Sequence, residues 1–107
     1  MKPSEYDILQ SLILAILGEA TWDGYNVQGL MKIHKTSRYQ IKKIIDGLKA
    51  KGIVELAMIQ EQDEFQSYPP YWYYRITDIY KQTSVYQEME ASLKRTLRQM
   101  CHPVEIG

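Results

Sequence analysis

One cysteine among 107 residues, Cys101, excludes an internal disulfide and leaves no cysteine cluster to hold zinc. Histidine is nearly as scarce. His34 and His102 stand isolated, and no Ser/His/Asp set, carboxylate pair or glycine-rich phosphate loop accompanies them. The sequence therefore predicts no enzyme activity, no metal site and no cofactor. Long hydrophobic runs are missing too. The stretch Leu12–Leu17 is too short to span a bilayer and is interrupted by Gly18, and no basic region precedes it. A cytoplasmic protein with no membrane partner is the expectation. Net charge is also absent, because 13 lysines and arginines offset 13 acidic residues. That balance argues against an undirected polycation.

What the chain does contain is charge sorted by position. Residues 1–30 carry one cation and four anions, whereas 31–51 carry seven cations and one anion. Residues 52–64 carry four anions and no cation, and 65–107 carry five cations and four anions. Overall neutrality thus hides one concentrated basic segment, the electrostatic footprint expected for phosphate contacts. An apolar fraction of 45% suffices for a single compact domain.

Periodicity places the elements. A first helix begins after Ser4, with Asp7 as capping-box partner, and buries Leu9, Leu12, Ile13, Ile16 and Leu17 before Gly18 stops it. A second helix runs from about Gly24 to His34, with Val27, Leu30, Met31 and His34 on one face. The third starts at Thr36 or Ser37, where Ser37 and Gln40 form an S-x-x-Q box, and ends at Gly52. Ile41, Ile44, Ile45 and Leu48 point inward; Arg38, Tyr39, Lys42, Lys43, Asp46 and Lys49 face solvent. Strands follow at Ile53–Ile59 and Tyr71–Ile76, separated by a polar loop that Pro69 and Pro70 close. Thr77 caps a last helix, predicted to run unbroken to about Met100.

The predicted fold is α+β and mainly helical. It comprises a winged helix-turn-helix over residues 1–76, a dimerisation helix over 77–101 and a short tail over 102–107. In the last helix Ile79, Tyr86, Leu93 and Met100 recur every seven residues, with Met89 and Leu97 beside them. Such a seam needs a partner, either the same helix of a second copy or the chain's own first helix, and the length of the helix favours the second copy.

Several segments resemble the PadR-type family of transcriptional regulators and, more loosely, the MarR type. They are the early helix ILQSLILAILGEA, the DGYNV that follows, IIDGLKAKGIVE at the close of the third helix, and YYRIT before the last. The resemblance covers about residues 8–100 and implies a homodimeric repressor of a palindromic operator. It places Ser37, Arg38, Tyr39, Lys42 and Lys43 on the helix face that meets DNA. The loop Glu61–Ser67 departs from the pattern, since it holds no arginine or lysine. An acidic tip of Glu61, Asp63 and Glu64 would be repelled by phosphates.

The candidate DNA-binding residues are therefore Lys35, Ser37, Arg38, Tyr39, Lys42, Lys43 and Lys49, with Lys32 near flanking phosphates. The plainer alternative is a solvated helix face. Arg75 would either touch a phosphate or form ion pairs within the wing. Tyr68, Tyr71, Trp72, Tyr73 and Tyr74 are expected to serve strand packing before a ligand pocket, and Trp22 could close an effector pocket. His34 reads as a turn residue. Cys101 is an incidental thiol unless Arg98 or His102 depresses its pKa. The expected partners are double-stranded DNA, a second copy, and a small-molecule or protein effector. The alternative function is a protein-interaction adaptor that uses the acidic, aromatic wing 60–74.

Overall fold

The computed structural model describes residues 2–101, so the tail 102–107, with His102, lies outside the described residues. The order is α1 (Glu5–Leu14), β1 (Gly24–Tyr25), α2 (Val27–His34), α3 (Arg38–Ala50), β2 (Val54–Ile59), β3 (Tyr71–Ile76), α4 (Asp78–Lys81) and α5 (Ser84–Cys101). The class is α+β, and the helices with the small antiparallel sheet are compatible with a winged helix.

Both ends of α1 follow from its sequence. Ser4 and Asp7 complete a reciprocal capping box at the start, each side chain bonding the other residue's backbone N–H. Ala15–Glu19 continue α1 as a wider π-type turn, ended by Gly18 at φ 106°. The core holds Ile8, Leu12 and Ile13 of α1, Leu30 of α2, Ile41, Ile45 and Leu48 of α3, and Ile76 of β3. Burying one such aliphatic side chain is worth about 1.5–3 kcal/mol, so this cluster is the main source of stability.

Two predicted boundaries need correction, the start of the second helix and the continuity of the last. The second helix does not begin at Gly24. Gly24 and Tyr25 form β1, which pairs antiparallel with Arg75 and Tyr74, and α2 begins after Asn26, whose side chain accepts from Gly29 N. Gly24 is required there, because a Cβ at this position would lie 1.9 Å from the Tyr74 carbonyl oxygen. At the third helix the Ser37 half of the capping box forms, with Ser37 Oγ accepting from Gln40 N at 3.3 Å.

The last helix is not continuous. It breaks at Gln82–Thr83, where the Thr83 hydroxyl donates to the Tyr80 carbonyl and accepts from Tyr86 N. One threonine thus closes α4 and caps α5. The sheet order is β1-β3-β2, with six β2–β3 pairs from Val54↔Ile76 to Ile59↔Tyr71.

The predicted dimer seam also divides. Tyr86 is 3% exposed and sits in the chain's own core, with Met89 and Leu93 packed against it. These three side chains are used within the chain, so α5 folds back toward α1 over this stretch. Ile79 lies on α4 and is 80% exposed, Met100 is 76% exposed, and Leu97 is half-buried. A seven-residue recurrence marks an apolar stripe but does not say whose surface covers it.

Candidate nucleic-acid interface

Three residues, Lys35 to Ser37, join α2 to α3. Lys35 takes the left-handed conformation at φ 50°, and its N–H bonds the Met31 carbonyl, which turns the chain sharply into α3. This turn brings the end of α2 against the start of α3. An open groove of about 480 Å³ lies between them, with Met31 and Gln28 alongside Lys32, Lys35, Thr36 and Arg38.

Helical spacing distributes the α3 side chains. Arg38, Lys42 and Lys49 share one stripe, beside the buried row Ile41, Ile45 and Leu48. That stripe faces the β2–β3 hairpin. Arg38 lines a second groove of about 300 Å³ with Gln28, Leu56, Trp72 and Tyr74, and Lys49 Nζ sits 5.9 Å from the Tyr74 ring centroid. A cation at that distance over an aromatic face is weakly attracted to it. Tyr39 is 69% exposed, and Lys43 lies beyond it on the solvent side. Ser37 is exposed, but its hydroxyl is engaged in capping α3.

Pairing separates these cations from some of the others, although Lys2, Arg95 and Arg98, which lie outside α2 and α3, also make no ion pair among the described residues. Among the described residues, Lys32, Lys35, Arg38, Lys42, Lys43 and Lys49 make no ion pair, whereas Lys51, Arg75, Lys81 and Lys94 do. Arg75 resolves its two readings in favour of internal pairing. It bonds Asp23 at 2.9 Å, Glu55 at 3.0 Å and Asp78 at 3.4 Å, and thereby ties the segment before β1, strand β2 and α4 to β3. Burial opposes its charge, but the three carboxylates outweigh burial and raise its pKa.

The aromatic residues divide by strand face. Tyr74 belongs to the core cluster, on the face of β3 that also holds Trp72 and Ile76. On the opposite face Tyr71 stacks on Tyr73 at 5.9 Å, and Trp22 lies 6.5 Å from Tyr71. The Tyr73 hydroxyl donates to Asp23 at 2.6 Å. Burial and that bond to an anion push the Tyr73 pKa up to about 12. Trp22 and Tyr71 also line a cavity of about 320 Å³ on this side, away from the α3 cations.

The hairpin tip is exposed throughout residues 60–70. Asp63 orders it by accepting from Phe65 N and Gln66 N, and these backbone bonds hold its pKa below the usual value. Phe65 is left 91% exposed beside Glu61 and Glu64. On the core-side face of the strands Leu56, Met58 and the 52%-exposed Trp72 extend past the packed region.

Two features escaped sequence reasoning. Gln28 lines both grooves beside Arg38, yet a glutamine near the start of a short helix carries no periodic signal. His34 closes α2 rather than lying in a turn, and its Nε2 is 2.8 Å from Ser11 Oγ on α1. Cys101 is the last residue of α5.

Among the described residues no cluster of histidine, cysteine or carboxylate side chains is arranged to hold a metal ion, and no helix is long and apolar enough to cross a membrane. Comparison with family models and with curated proteins found no match.

Proposed function

We propose that this chain is a PadR-type winged helix-turn-helix regulator that binds double-stranded DNA as a homodimer and represses transcription. The observation that carries the reading is the set of six cations, spread over the end of α2, the turn and α3, that make no ion pair among the described residues. A duplex supplies what they lack. In this reading the start of α3 enters the major groove, where Arg38 and Tyr39 meet base edges. Lys42, Lys43 and Lys49 neutralise phosphates along the helix, and Lys32 and Lys35 do so beside the turn.

The proposed dimer contact uses what α5 leaves open. Leu97 and Met100 line an apolar groove of about 350 Å³ with Leu14 and Ile33. A second copy laid there would cover the exposed end of the helix. Leu93 lines the same groove, whereas Tyr86 and Met89 do not, and Ile79 lies apart on α4.

Selection from random duplexes tests the reading. The expected product is a palindromic consensus with half-sites about one helical turn apart. In a salt titration, Lys42→Ala with Lys43→Ala is expected to lower affinity and flatten the slope by up to about 0.9 per lost phosphate contact. Unchanged affinity and slope in that double variant would remove α3 from the interface.

One observation favours a second reading, a protein-interaction adaptor. The hairpin exposes Leu56, Met58, Phe65 and Trp72 together with an acidic tip, and none of these suits a phosphate backbone. Passage through immobilised heparin without retention at low salt would select the adaptor over the regulator.

A further inference from the structure

The hairpin tip and the α2–α3 groove have complementary chemistry. The tip is a built turn: Asp63 holds the Phe65 and Gln66 amides and accepts from the Tyr68 hydroxyl, while a Gln62↔Ser67 bridge closes the loop behind it. It presents one aromatic side chain that is 91% exposed, Phe65, directly after Glu64 and on the same tip as Glu61. The groove of about 480 Å³ is the reverse. It has an apolar contribution from Met31 and a rim of Lys32, Lys35 and Arg38, none of them ion-paired among the described residues. A phenyl ring with carboxylates on the same tip fits an apolar-based pocket with a cationic rim.

We propose that the hairpin tip of one copy docks in the α2–α3 groove of a second copy, with Phe65 against Met31 and the tip carboxylates against Lys32, Lys35 and Arg38. The chain's own tip is not the proposed occupant, because the paired strands carry it beyond Ile59 and Tyr71, whereas the groove lies between α2 and α3 and no strand residue lines it. Knob and groove are different surfaces of one chain, so the contact closes as a reciprocal pair or propagates as a row. It also explains the acidic tip, which has no role against phosphate. The docked tip occupies cations assigned above to DNA, so self-association and duplex binding exclude each other. That antagonism rests on the DNA-binding reading, whereas the docking does not.

Sedimentation velocity of the full chain, from about 10 µM to about 1 mM and in about 25 mM and about 500 mM salt, reads the association and its screening. The expected result is a concentration-dependent step at low salt that weakens about tenfold in Phe65→Ala, as an interface anchor does. Phe65 is exposed, so this variant should melt like its parent. Two charge variants sharpen the test. Glu61→Lys/Glu64→Lys and Lys32→Glu/Lys35→Glu each set like charges against one another and should fail to associate alone, yet associate when mixed in equal amounts. Any dimer formed through α5 would survive all of these changes.

Concentration-independent sedimentation at low salt, undiminished association in Phe65→Ala, or no recovery on mixing would each overturn the proposal. Adding a random-sequence duplex separates the two ideas. Recovery on mixing with no competition by duplex keeps the docking and removes the DNA reading. Duplex binding without any Phe65-dependent step does the opposite.

Discussion

Two populations of cations share this small chain, and their surroundings differ. Arg75 is three-quarters buried and bonds carboxylates from three separate segments, so its charge is consumed in joining β3 to its neighbours. Lys42 and Lys43, one helix away, make no ion pair among the described residues, and Arg38 lies four residues before Lys42 on the same stripe. Like charges at that spacing cost a helix a few tenths of a kcal/mol. The fold therefore gains from one population and concedes a little to the other. On the proposed reading that concession serves an external anion, and variants on the two sides should separate stability from binding.

The packed side should break first and hardest. Gly24→Ala would set a Cβ 1.9 Å from the Tyr74 carbonyl oxygen, in backbone that cannot move without parting β1 from β3. A loss of about 3 kcal/mol or more is expected in chemical denaturation. Arg75→Ala should follow. It leaves Asp23, Glu55 and Asp78 close together with no guanidinium between them, for a loss of about 2 kcal/mol after allowance for partial exposure. Its DNA affinity, measured on the folded fraction, should stay at the parent value.

A pH series sharpens the same side. The Tyr73 pKa is raised from 10.0 to about 12, so the neutral phenol stabilises the fold fully below pH 10. That contribution is lost as pH rises from 10 toward 12. At the acid end the sign reverses. Burial raises the Asp23 pKa, but the Tyr73 hydroxyl and Arg75 outweigh it and the net pKa falls below 3.8. Its contribution is present above that value and fades as pH falls further. Melting curves of the parent and Tyr73→Phe should differ by on the order of 1 kcal/mol in alkaline slope, with the variant flatter. Identical slopes would mean that the Tyr73–Asp23 bond does not hold in solution.

How much of this was legible beforehand depended on the distance between partners. The α1 box and the amphipathic α3 were readable because both are written within a few residues, as Ser4 with Asp7 and as Ile41, Ile45 and Leu48. The two-residue β1 was not, since two residues cannot display a period and their partners lie at Tyr74 and Arg75. Thr83 looked like any helical residue, because a hydroxyl that caps and one that faces solvent are identical in sequence. Arg75 presented the same difficulty, with Asp23 52 positions away and Glu55 20 positions away. For the candidate interface the local signal sufficed to find the cations on α3. It could not show Gln28 joining them, nor that Tyr86 had been taken into the core.

The smallest expected effect on stability comes from the face that makes no internal ion pairs. Lys43 is exposed and Lys42 half-buried, and Lys42 follows Arg38 at the repulsive i, i+4 spacing. Alanine at both positions removes that repulsion and gains helix propensity, while the lost contact of the Lys42 stem works the other way. These terms are each a few tenths of a kcal/mol, so the double variant should denature within about 0.5 kcal/mol of the parent. Its affinity for duplex should nevertheless fall, and fall most at low salt, where each neutralised phosphate counts most. Destabilisation comparable to that of Arg75→Ala would show that these lysines also support the fold. Unchanged stability with weakened binding would show that they are held for a partner.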